Sequence, residues 1–275
     1  MAIISKNPYT EEVIREYVEL TDKEIETKIQ KAQDAFDSWR KLSIKERTQK
    51  ILDLAKVLKE NKRKYGEIIT QETGKAITAS IAEIEKSAWN SEYVAENAEQ
   101  FLKPEIIKTE GRESYISFEP LGIILEVMPW NFPFWQALRF SVPTIASGNV
   151  CILKHASNVP SSALAIEEAF LEAGFPEGIF QTLLVSASKI ESILEDKRIK
   201  GVTLTGSEGA GSSVASIAGR EIKKSVLELG GSDAFIVLED ADLELAVNSC
   251  TTARLNNAGQ VCNSPKRAIV SEKVY

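Results

Sequence analysis

Gly122-Ile-Ile-Leu-Glu-Val-Met128 is an almost continuously apolar run, and the turn sequence Pro129-Trp-Asn-Phe-Pro133 follows it directly. A short apolar run bounded by turn residues is typical of a strand that is buried on both faces. Comparable runs lie at 150–153, 178–184, 202–204 and 234–238, with helical patterns between them at 161–173 and 188–195. Strands that alternate with helices predict an α/β fold, in which helices cover both faces of a parallel sheet.

The first hundred residues favour helices. Thr21-Asp-Lys-Glu24 and Ser43-Ile-Lys-Glu46 each fit the capping box, in which a hydroxyl and a carboxylate satisfy free amides of the first turn. Apolar residues recur at helical spacing behind both boxes, and a third long helical pattern follows Gly74 and ends at Lys103-Pro104. Residues 113–118 then alternate between polar and apolar types, which predicts a half-buried strand.

The composition of the 275 residues excludes several classes of protein. Hydrophobic residues make up 43% and charged residues 27%, which is typical of a soluble chain with one or two domains. The net charge is −7 and no basic stripe is present, so neither a nucleic acid nor an anionic membrane is expected as a partner. No apolar run is long enough to span a membrane and no secretory signal is visible, so we expect a cytoplasmic location.

The cysteine pattern limits the kinds of site that the chain can form. Cys151, Cys250 and Cys262 are not closely paired, and the chain has a single histidine, which excludes a disulfide framework and an ordinary zinc site. No metal is therefore expected. Cys151 falls in a strand pattern and Cys250 in a helical pattern, as core thiols do, whereas Cys262 follows a Gly-Gln turn, where thiolate chemistry is possible. A structural cysteine remains the alternative for Cys262.

Two loops after predicted strands have the residues of a binding site. In Pro129-Trp-Asn-Phe-Pro133 the prolines hold Asn131 rigidly, and its amide suits stabilisation of an oxyanion, although a purely structural turn is the alternative. The glycines of Thr205-Gly-Ser-Glu-Gly-Ala-Gly211 precede a helix, where a dinucleotide pyrophosphate binds well. Their spacing does not match GxGxxG, so a plain tight turn is an equally good interpretation.

A carboxylate in an apolar setting forms a third candidate. Glu228 stands in Leu227-Glu-Leu-Gly-Gly231 beside a glycine pair. Burial there is expected to raise the pKa of the carboxyl and suit it to general-base catalysis. A structural carboxylate bonded to backbone is the alternative.

Together and in this order, the segments resemble the NAD(P)-dependent aldehyde dehydrogenase superfamily, most nearly its succinate-semialdehyde dehydrogenase branch. The matching motifs are 129–133, Lys154 after a strand, 204–207 with Gly211, 228–231 and 259–262. Glu228 and Cys262 are separated by 262 − 228 = 34 residues, which also fits the family. The resemblance covers essentially the whole chain and implies a Rossmann-like parallel sheet with helices on both faces and an incomplete catalytic domain.

The resemblance implies an activity and assigns catalytic roles. Cys262 is expected to attack an aldehyde, with succinate semialdehyde as the expected substrate, and to form a thiohemiacetal whose oxyanion is held by Asn131 and the amide of Cys262. Hydride transfer then leaves a thioester, which a water activated by Glu228 hydrolyses to the acid. Because Glu228 is present, an acyl-CoA-forming reductase of the same superfamily is disfavoured.

The same resemblance implies a set of ligand-binding residues. The cofactor-binding residues are Trp130, Lys154, Ser157, Gly206, Ser207, Gly211 and Leu229. Ser157 replaces a glutamate that in the family disfavours a 2′-phosphate, so the cofactor is expected to be NAD or NADP. Arg139 matches a position that binds a substrate carboxylate, a task that suits the planar guanidinium. A surface or interdomain ion pair is the alternative for Arg139.

The resemblance also divides the chain. Residues 1–103 and 121–230 correspond to the cofactor-binding domain, 104–120 to a bridging and oligomerisation arm, and 231–275 to the start of the catalytic domain. Full family members continue well beyond this point and are expected to be homo-oligomers. The chain is therefore expected to work with a complementary C-terminal half, as one half of a split enzyme or part of a longer protein. The alternative is a catalytically silent, truncated nucleotide-binding fragment.

Overall fold

The computed structural model describes residues 2–275 as a helical layer, a central parallel sheet and a C-terminal segment. The strands are β1 (Ala2–Lys6), β2 (Val13–Val18), β3 (Glu105–Ile106), β4 (Tyr115–Ile116), β5 (Ile123–Met128), β6 (Val150–His155), β7 (Phe180–Thr182), β8 (Ile199–Thr205), β9 (Lys224–Glu228), β10 (Ala234–Val237) and β11 (Arg267–Val270). The α-helices are α1 (Asp22–Trp39), α2 (Ile44–Glu60), α3 (Lys62–Thr73), α4 (Ile77–Phe101), α5 (Pro133–Ala146), α6 (Pro160–Glu172), α7 (Ile190–Glu195), α8 (Glu208–Arg220) and α9 (Leu243–Leu255). Short 3₁₀ helices lie at Ala187–Lys189 and Glu272–Val274, and Asn256–Gly259 forms a tight turn with non-helical backbone angles at 257 and 258.

The central sheet confirms the α/β prediction. Its five strands run parallel in the order β7-β6-β5-β8-β9, with β5 in the middle. Because β5 has a neighbour on each side and helices on each face, nearly all of its side chains are buried. The chain moves outward from β5 in one direction and then resumes at β8 in the other, so a crevice opens at the carboxyl ends of β5 and β8.

The helices pack as the sequence predicts. Both capping boxes form. The Thr21 and Ser43 hydroxyls accept from the amides of Glu24 and Glu46, and the Glu24 and Glu46 carboxylates accept from the amides of Thr21 and Ser43. Trp39 is buried against the sheet domain, and its indole N–H donates to the carbonyl of Ile145 at 2.9 Å. None of the helices in residues 2–275 is long and apolar enough to cross a membrane.

Two expectations about secondary structure were wrong, and one strand was missed. Residues 2–18 contain the antiparallel hairpin of β1 and β2 rather than helix. The strand expected over 113–118 shrinks to β4, whose two residues are exposed and pair with β3. Residues 224–228 form β9, a mainly exposed edge strand that the apolar pattern does not reveal. Strands β2, β4 and β9 lack the buried face that makes a strand visible in sequence, and β1 buries only Ile3 and Ser5 on its inner face.

Residues 231–275 form little core of their own. Strands β10 and β11 pair in parallel as an isolated two-stranded sheet, and α9 has no buried residue. Ser264 is the one buried residue in this segment. Large apolar side chains are exposed instead, at Ile236, Leu238, Leu245, Val247, Leu255 and Ile269.

Glu126 lies in the middle of β5 and is fully buried. Neither oxygen of its carboxyl has a hydrogen-bond partner among the described residues. Burial raises the pKa of this carboxyl from 4.5 to about 8, and contact with the Cys151 thiol offsets only part of that rise. Glu126 is therefore protonated in the folded chain at neutral pH, and its charged form is destabilising.

Replacing Glu126 with Met is expected to change how stability depends on pH. Between about pH 5 and 8 the unfolded wild-type chain has lost this proton while the folded chain retains it, so the free energy of unfolding falls as pH rises. The slope from this group is up to about 1.4 kcal/mol per pH unit. Urea unfolding of both proteins should thus show a stability advantage of Glu126→Met that grows with pH. Glu96→Gln, on the exposed face of α4, is the control, and a constant difference at all pH values would contradict the prediction.

Candidate active site

The crevice at the carboxyl ends of β5 and β8 brings the predicted loops together. Residues 129–132 connect β5 to α5, and Gly206-Ser207 connects β8 to α8. The backbone amide of Gly206 donates to the carbonyl of Glu228 at 3.0 Å, which places the end of β9 beside the same turn. Parallel strands therefore deliver three of the candidate segments to one edge of the sheet.

Asn131 connects this edge to the cysteine loop. Its side-chain Nδ2 donates to the carbonyl of Gln260 at 2.7 Å. Its own carbonyl accepts from Lys75 Nζ at 2.9 Å and from Asn257 Nδ2 at 2.9 Å. The two loops, more than a hundred residues apart in sequence, are thus held by direct hydrogen bonds.

The loop before Cys262 has an unusual backbone. Asn257, Ala258 and Gly259 have φ values of 50°, 55° and 77°, so three consecutive residues are left-handed. This conformation suits glycine but is strained for alanine. Because the strain is retained, the surrounding hydrogen bonds must determine the path of the chain here.

Lys266 donates hydrogen bonds to three backbone carbonyl groups around Cys262. Its Nζ donates to the carbonyls of Val261 at 3.1 Å, Cys262 at 2.7 Å and Ser264 at 3.0 Å. The buried hydroxyl of Ser264 in turn donates to the carbonyl of Ala253 at 2.9 Å. Cys262 itself is exposed as a free thiol, so it can react while its backbone is held.

Cys262 and Asn131 line two cavities. One, of about 490 Å³, is also lined by Lys86, Trp135 and Arg139. The other, of about 370 Å³, is lined by the segments predicted to bind the cofactor, at Trp130, Gly206, Leu229 and Gly230, together with Gln260 and Lys266. The nucleophile and amide candidates therefore face both a cavity with cationic side chains and a cavity beside the glycine turn.

Three helices begin at this edge, and two of them are capped by carboxylates. Glu83 accepts from the amides of Phe134 and Trp135 at the start of α5. Glu72 accepts from the amides of Ser161 and Ser162 at the start of α6. These buried carboxylates already neutralise the amides and dipoles of both helices.

Helix α8 is different. Its cap is the uncharged Ser207, whose hydroxyl accepts from the amide of Ala210, and the only carboxylate of the first turn, Glu208, is exposed. Gly211 has no side chain, and a Cβ there would lie 2.6 Å from Leu229 Cδ2. The start of α8 is therefore the helix terminus of this edge best able to receive an external anion.

Lys154 and Ser157 follow β6 at the same edge. The Lys154 side chain is half-buried, and burial lowers the pKa of its ammonium group. It has no hydrogen-bond or ion-pair partner among the described residues, whereas Ser157 is exposed. A partly desolvated cation without an anionic partner favours a ligand with negative charge.

Glu228 is not in the apolar setting that its sequence neighbours suggest. Its side chain is 55% exposed, and Oε2 lies 3.9 Å from Arg139 Nη2. The reason is that β9 is an edge strand whose side chains are largely in solvent. Arg139 also donates to the hydroxyl of Thr205 at 3.1 Å, and with Glu228 it lines a separate cavity of about 130 Å³. Arg139 thus reaches both the Cys262 cavity and Glu228.

His155 has both ring nitrogens bonded to backbone groups. Its Nδ1 accepts from the amide of Ala156 at 2.9 Å, which leaves Nε2–H to donate to the carbonyl of Pro133 at 3.0 Å. Burial lowers the pKa of the imidazole to about 4. The ring is therefore neutral at physiological pH and joins β6 to the start of α5.

Comparison with known proteins identifies the family. Residues 2–275 match the model of the aldehyde dehydrogenase family. The chain belongs to the aldehyde dehydrogenase family. The whole chain is 47% identical over 274 residues to a probable succinate-semialdehyde dehydrogenase [NADP(+)] of Synechocystis, of which it covers 60%. It is 45% identical over 278 residues to succinate-semialdehyde dehydrogenase [NADP(+)] 1 of Mycobacterium bovis, of which it covers 61%.

A solved structure supports the same assignment. The crystal structure of succinic semialdehyde dehydrogenase from Streptococcus pyogenes in complex with NADP⁺ superposes with a TM-score of 0.96 and 40% identity. The match covers 99% of this aldehyde dehydrogenase chain and 60% of the Streptococcus chain. The chain therefore spans about 60% of the length of the curated relatives it matches.

Sequence reasoning about this aldehyde dehydrogenase chain missed several residues of the site. They are Lys75, Glu83, Lys86 and Lys266, and no role was assigned to Asn257 or Gln260 within the cysteine loop. Glu83 had a detectable signal, because a carboxylate interrupts the stripe that buries Ser80, Ile84 and Ser87 on α4. The others contribute through long-range or backbone contacts that no local pattern reports.

Proposed function

We propose that this chain carries the nucleophile, the oxyanion donor, the base and the cofactor loops of an NADP-dependent aldehyde dehydrogenase acting on succinate semialdehyde. The observation that carries the proposal is the position of Cys262 and Asn131, which together line both a cationic cavity and a cavity beside the glycine turn. An aldehyde in the first cavity and a cofactor in the second would meet at the thiol. The names of the similar proteins supply the substrate and cofactor class.

In this proposal Cys262 attacks the aldehyde carbonyl and forms a thiohemiacetal. The Asn131 amide has two N–H groups, of which one is bonded to Gln260, so the other is available for the oxyanion. The amide of Cys262 is the second donor, and Lys266 steadies it by holding the carbonyls on either side. Donors held in advance are worth more than donors that must reorganise.

A bound nicotinamide cofactor supplies the hydride acceptor. Glu228 then activates the water that attacks the Cys262 thioester, and the carboxylic acid leaves. Its 55% exposed side chain gives it access to water, and Arg139 Nη2 lies 3.9 Å from its Oε2. Leu229, the next residue, lines the cofactor-side cavity.

The edge of the sheet fits a dinucleotide with a 2′-phosphate. The start of α8, with Gly206, Ser207 and Gly211, offers amides to the pyrophosphate, since Glu72 and Glu83 already occupy α6 and α5. Trp130 would line the nicotinamide side. Lys154 and Ser157, which follow β6, would bind the adenosine ribose, and a serine at 157 leaves room for the phosphate that distinguishes NADP.

The cationic cavity fits an aldehyde with a distant carboxylate. Arg139 and Lys86 both line it, and Lys86 lies 3.9 Å from the Trp135 ring centroid. The only carboxylate in the lining, Glu83, is neutralised by Lys75 at 2.6 Å. The lining therefore carries net positive charge, and Arg139 is the residue we assign to the substrate carboxylate.

We further propose that residues 231–275 meet a complementary C-terminal half. This segment exposes apolar side chains from both α9 and the β10–β11 pair, and it contains almost no core of its own. Residues 1–103 and 121–230 would form the cofactor-binding domain. Residues 104–120, with Ile106, Tyr115 and Ile116 exposed, would form the arm of a homo-oligomer.

The same observation favours a second candidate function. A chain whose catalytic segment is this exposed, and whose Glu228 lines neither cavity of Cys262, fits a nucleotide-binding fragment without turnover. The two candidates make different predictions about Cys262, because only the enzyme requires its chemistry.

The first prediction concerns the nucleophile and the base. Given NADP⁺ and succinate semialdehyde, the purified chain, alone or with the complementary half, is expected to form NADPH, and Cys262→Ala is expected to form none. Glu228→Gln should form one equivalent and then stop, because the thioester is made but not hydrolysed, and intact-protein mass spectrometry should detect it. NADPH formation that survives Cys262→Ala would contradict the mechanism. A folded chain that binds NADP⁺ without NADPH formation, alone or with the complementary half, would establish the silent fragment.

The second prediction concerns cofactor choice. Ser157→Glu should weaken NADP⁺ binding by about 10- to 100-fold and leave NAD⁺ binding nearly unchanged, because a carboxylate repels the 2′-phosphate. Titration calorimetry with both cofactors measures this. Ser157→Gln has the same shape without the charge and should have a much smaller effect. Equal losses for the two cofactors would place position 157 away from the 2′-phosphate.

The third prediction concerns the substrate carboxylate. Arg139→Gln should raise KM for succinate semialdehyde by about 10- to 100-fold, because a charged hydrogen bond to a carboxylate is worth about 1.5 to 3 kcal/mol. KM for butanal, which lacks the carboxylate, should change little. If both substrates are affected equally, Arg139 acts through Thr205 or Glu228 instead.

A further inference from the structure

We propose that Lys75, held by Glu83, is a positioning residue that fixes the direction of the Asn131 amide. The inference rests on the proposed role of Asn131 at the oxyanion. Lys75 touches neither the proposed substrate nor the cofactor; it acts through the backbone of the loop between β5 and α5.

The pair is buried and tightly bonded. Lys75 Nζ and Glu83 Oε2 are 2.6 Å apart, and the two side chains are 3% and 1% exposed. Lys75 stands between α3 and α4, and Glu83 lies in the second turn of α4. The ion pair therefore links the helical layer to the loop between β5 and α5 and to the first turn of α5, which these two side chains contact.

Glu83 fixes the C-terminal side of the loop. While Oε2 binds Lys75, Oε1 accepts from the amides of Phe134 at 2.9 Å and Trp135 at 3.1 Å. These amides belong to the first turn of α5, which begins two residues after Asn131. The start of α5 is thereby tied to α4.

Lys75 fixes the Asn131 peptide itself. Its Nζ donates to the carbonyl of Asn131 at 2.9 Å and lies 4.0 Å from the ring centroid of Phe132. Asn257 Nδ2 donates to the same carbonyl at 2.9 Å. A carbonyl oxygen has two lone pairs, so Lys75 and Asn257 together use both and oppose rotation of the peptide.

The direction of the side chain follows from that of the peptide. A rotated Asn131 peptide would turn Nδ2 away from Gln260 and from the cavity that Cys262 lines. A displacement of about 1 Å in such a group can cost about 100-fold in rate. The pair thus controls the position of Asn131 Nδ2 relative to the proposed oxyanion, although neither Lys75 nor Glu83 contacts the reacting atoms.

Stability alone does not account for this ion pair. Taking two charges out of water is costly, and well-packed apolar replacements for a buried pair are often neutral or stabilising. The specific effect of the pair is therefore expected in the geometry of Asn131. This separation between stability and geometry makes the role measurable.

Two reagents that react with Cys262 by different chemistry provide the test. With p-nitrophenyl acetate the thiolate sulfur bonds to the carbonyl carbon through a tetrahedral oxyanion, p-nitrophenolate leaves, and an acetyl thioester forms. With iodoacetamide the sulfur displaces iodide from carbon, and no oxyanion forms. The ratio of the two second-order rates, measured at Cys262 by peptide mass spectrometry, reports oxyanion stabilisation alone and requires no cofactor.

Lys75→Met combined with Glu83→Gln removes both charges and keeps an acceptor for the amides of α5. It is expected to lower acetylation at least 10-fold and to leave alkylation within about 2-fold of wild type. Arg63→Met combined with Glu67→Gln removes an exposed pair of the same 2.6 Å length on α3 and should leave the ratio unchanged. If the first double variant does not fold, Lys75→Gln with Glu83→Gln, whose amides can bond to each other, gives the same comparison.

Asn131→Ala separates the inference from the proposed function. It should lower the ratio by about 100-fold, as loss of one oxyanion donor does. If Asn131→Ala has no effect, the oxyanion role of Asn131 is wrong. If Asn131→Ala lowers the ratio and the Lys75 and Glu83 variants do not, the positioning role is overturned. Parallel losses of acetylation and alkylation in a folded variant would also overturn it, because they indicate general damage to the loop.

Discussion

Backbone amides at the starts of α5, α6 and α8 point toward one edge of the sheet, and each free amide needs an acceptor. The chain supplies its own carboxylates to two of these helices, through Glu83 and Glu72. It supplies only the hydroxyl of Ser207 to the third. At this edge the starts of α5 and α6 are therefore neutralised by carboxylates of the chain, whereas the start of α8 can receive an external anion. For this reason the cofactor phosphate is assigned to α8.

The carboxylate caps also connect stability to chemistry. Glu83 uses one oxygen for α5 and the other for Lys75, and Lys75 reaches the carbonyl of Asn131. The cap is thus the first member of a chain of contacts that ends at the cavity of Cys262. Because Asn257 bonds to the same carbonyl, the cysteine loop takes its position from the sheet domain as well.

Sequence patterns predicted those features that have a buried face or a local partner. Strand β5 was predicted because both of its faces are buried, and the box at Thr21 because its partners are three residues apart. Strand β9 was missed because its side chains are exposed, and for the same reason the apolar setting inferred for Glu228 was wrong. The bond between Asn131 and Gln260 joins residues 129 apart, and no local pattern encodes such a contact.

Residues 231–275 are largely exposed, so the long-range hydrogen bonds between Asn131 and the cysteine loop contribute much of what holds this segment in place. A two-stranded sheet and one helix without buried residues are marginal on their own. The loop around Cys262 also holds Asn257 and Ala258 in left-handed backbone, which costs free energy. Since little apolar burial offsets that cost within the segment, the polar bonds of Lys266 and those that join Asn131 to Asn257 and Gln260 must hold the loop. The nucleophile is consequently placed by hydrogen bonds to the sheet edge rather than by a core of its own.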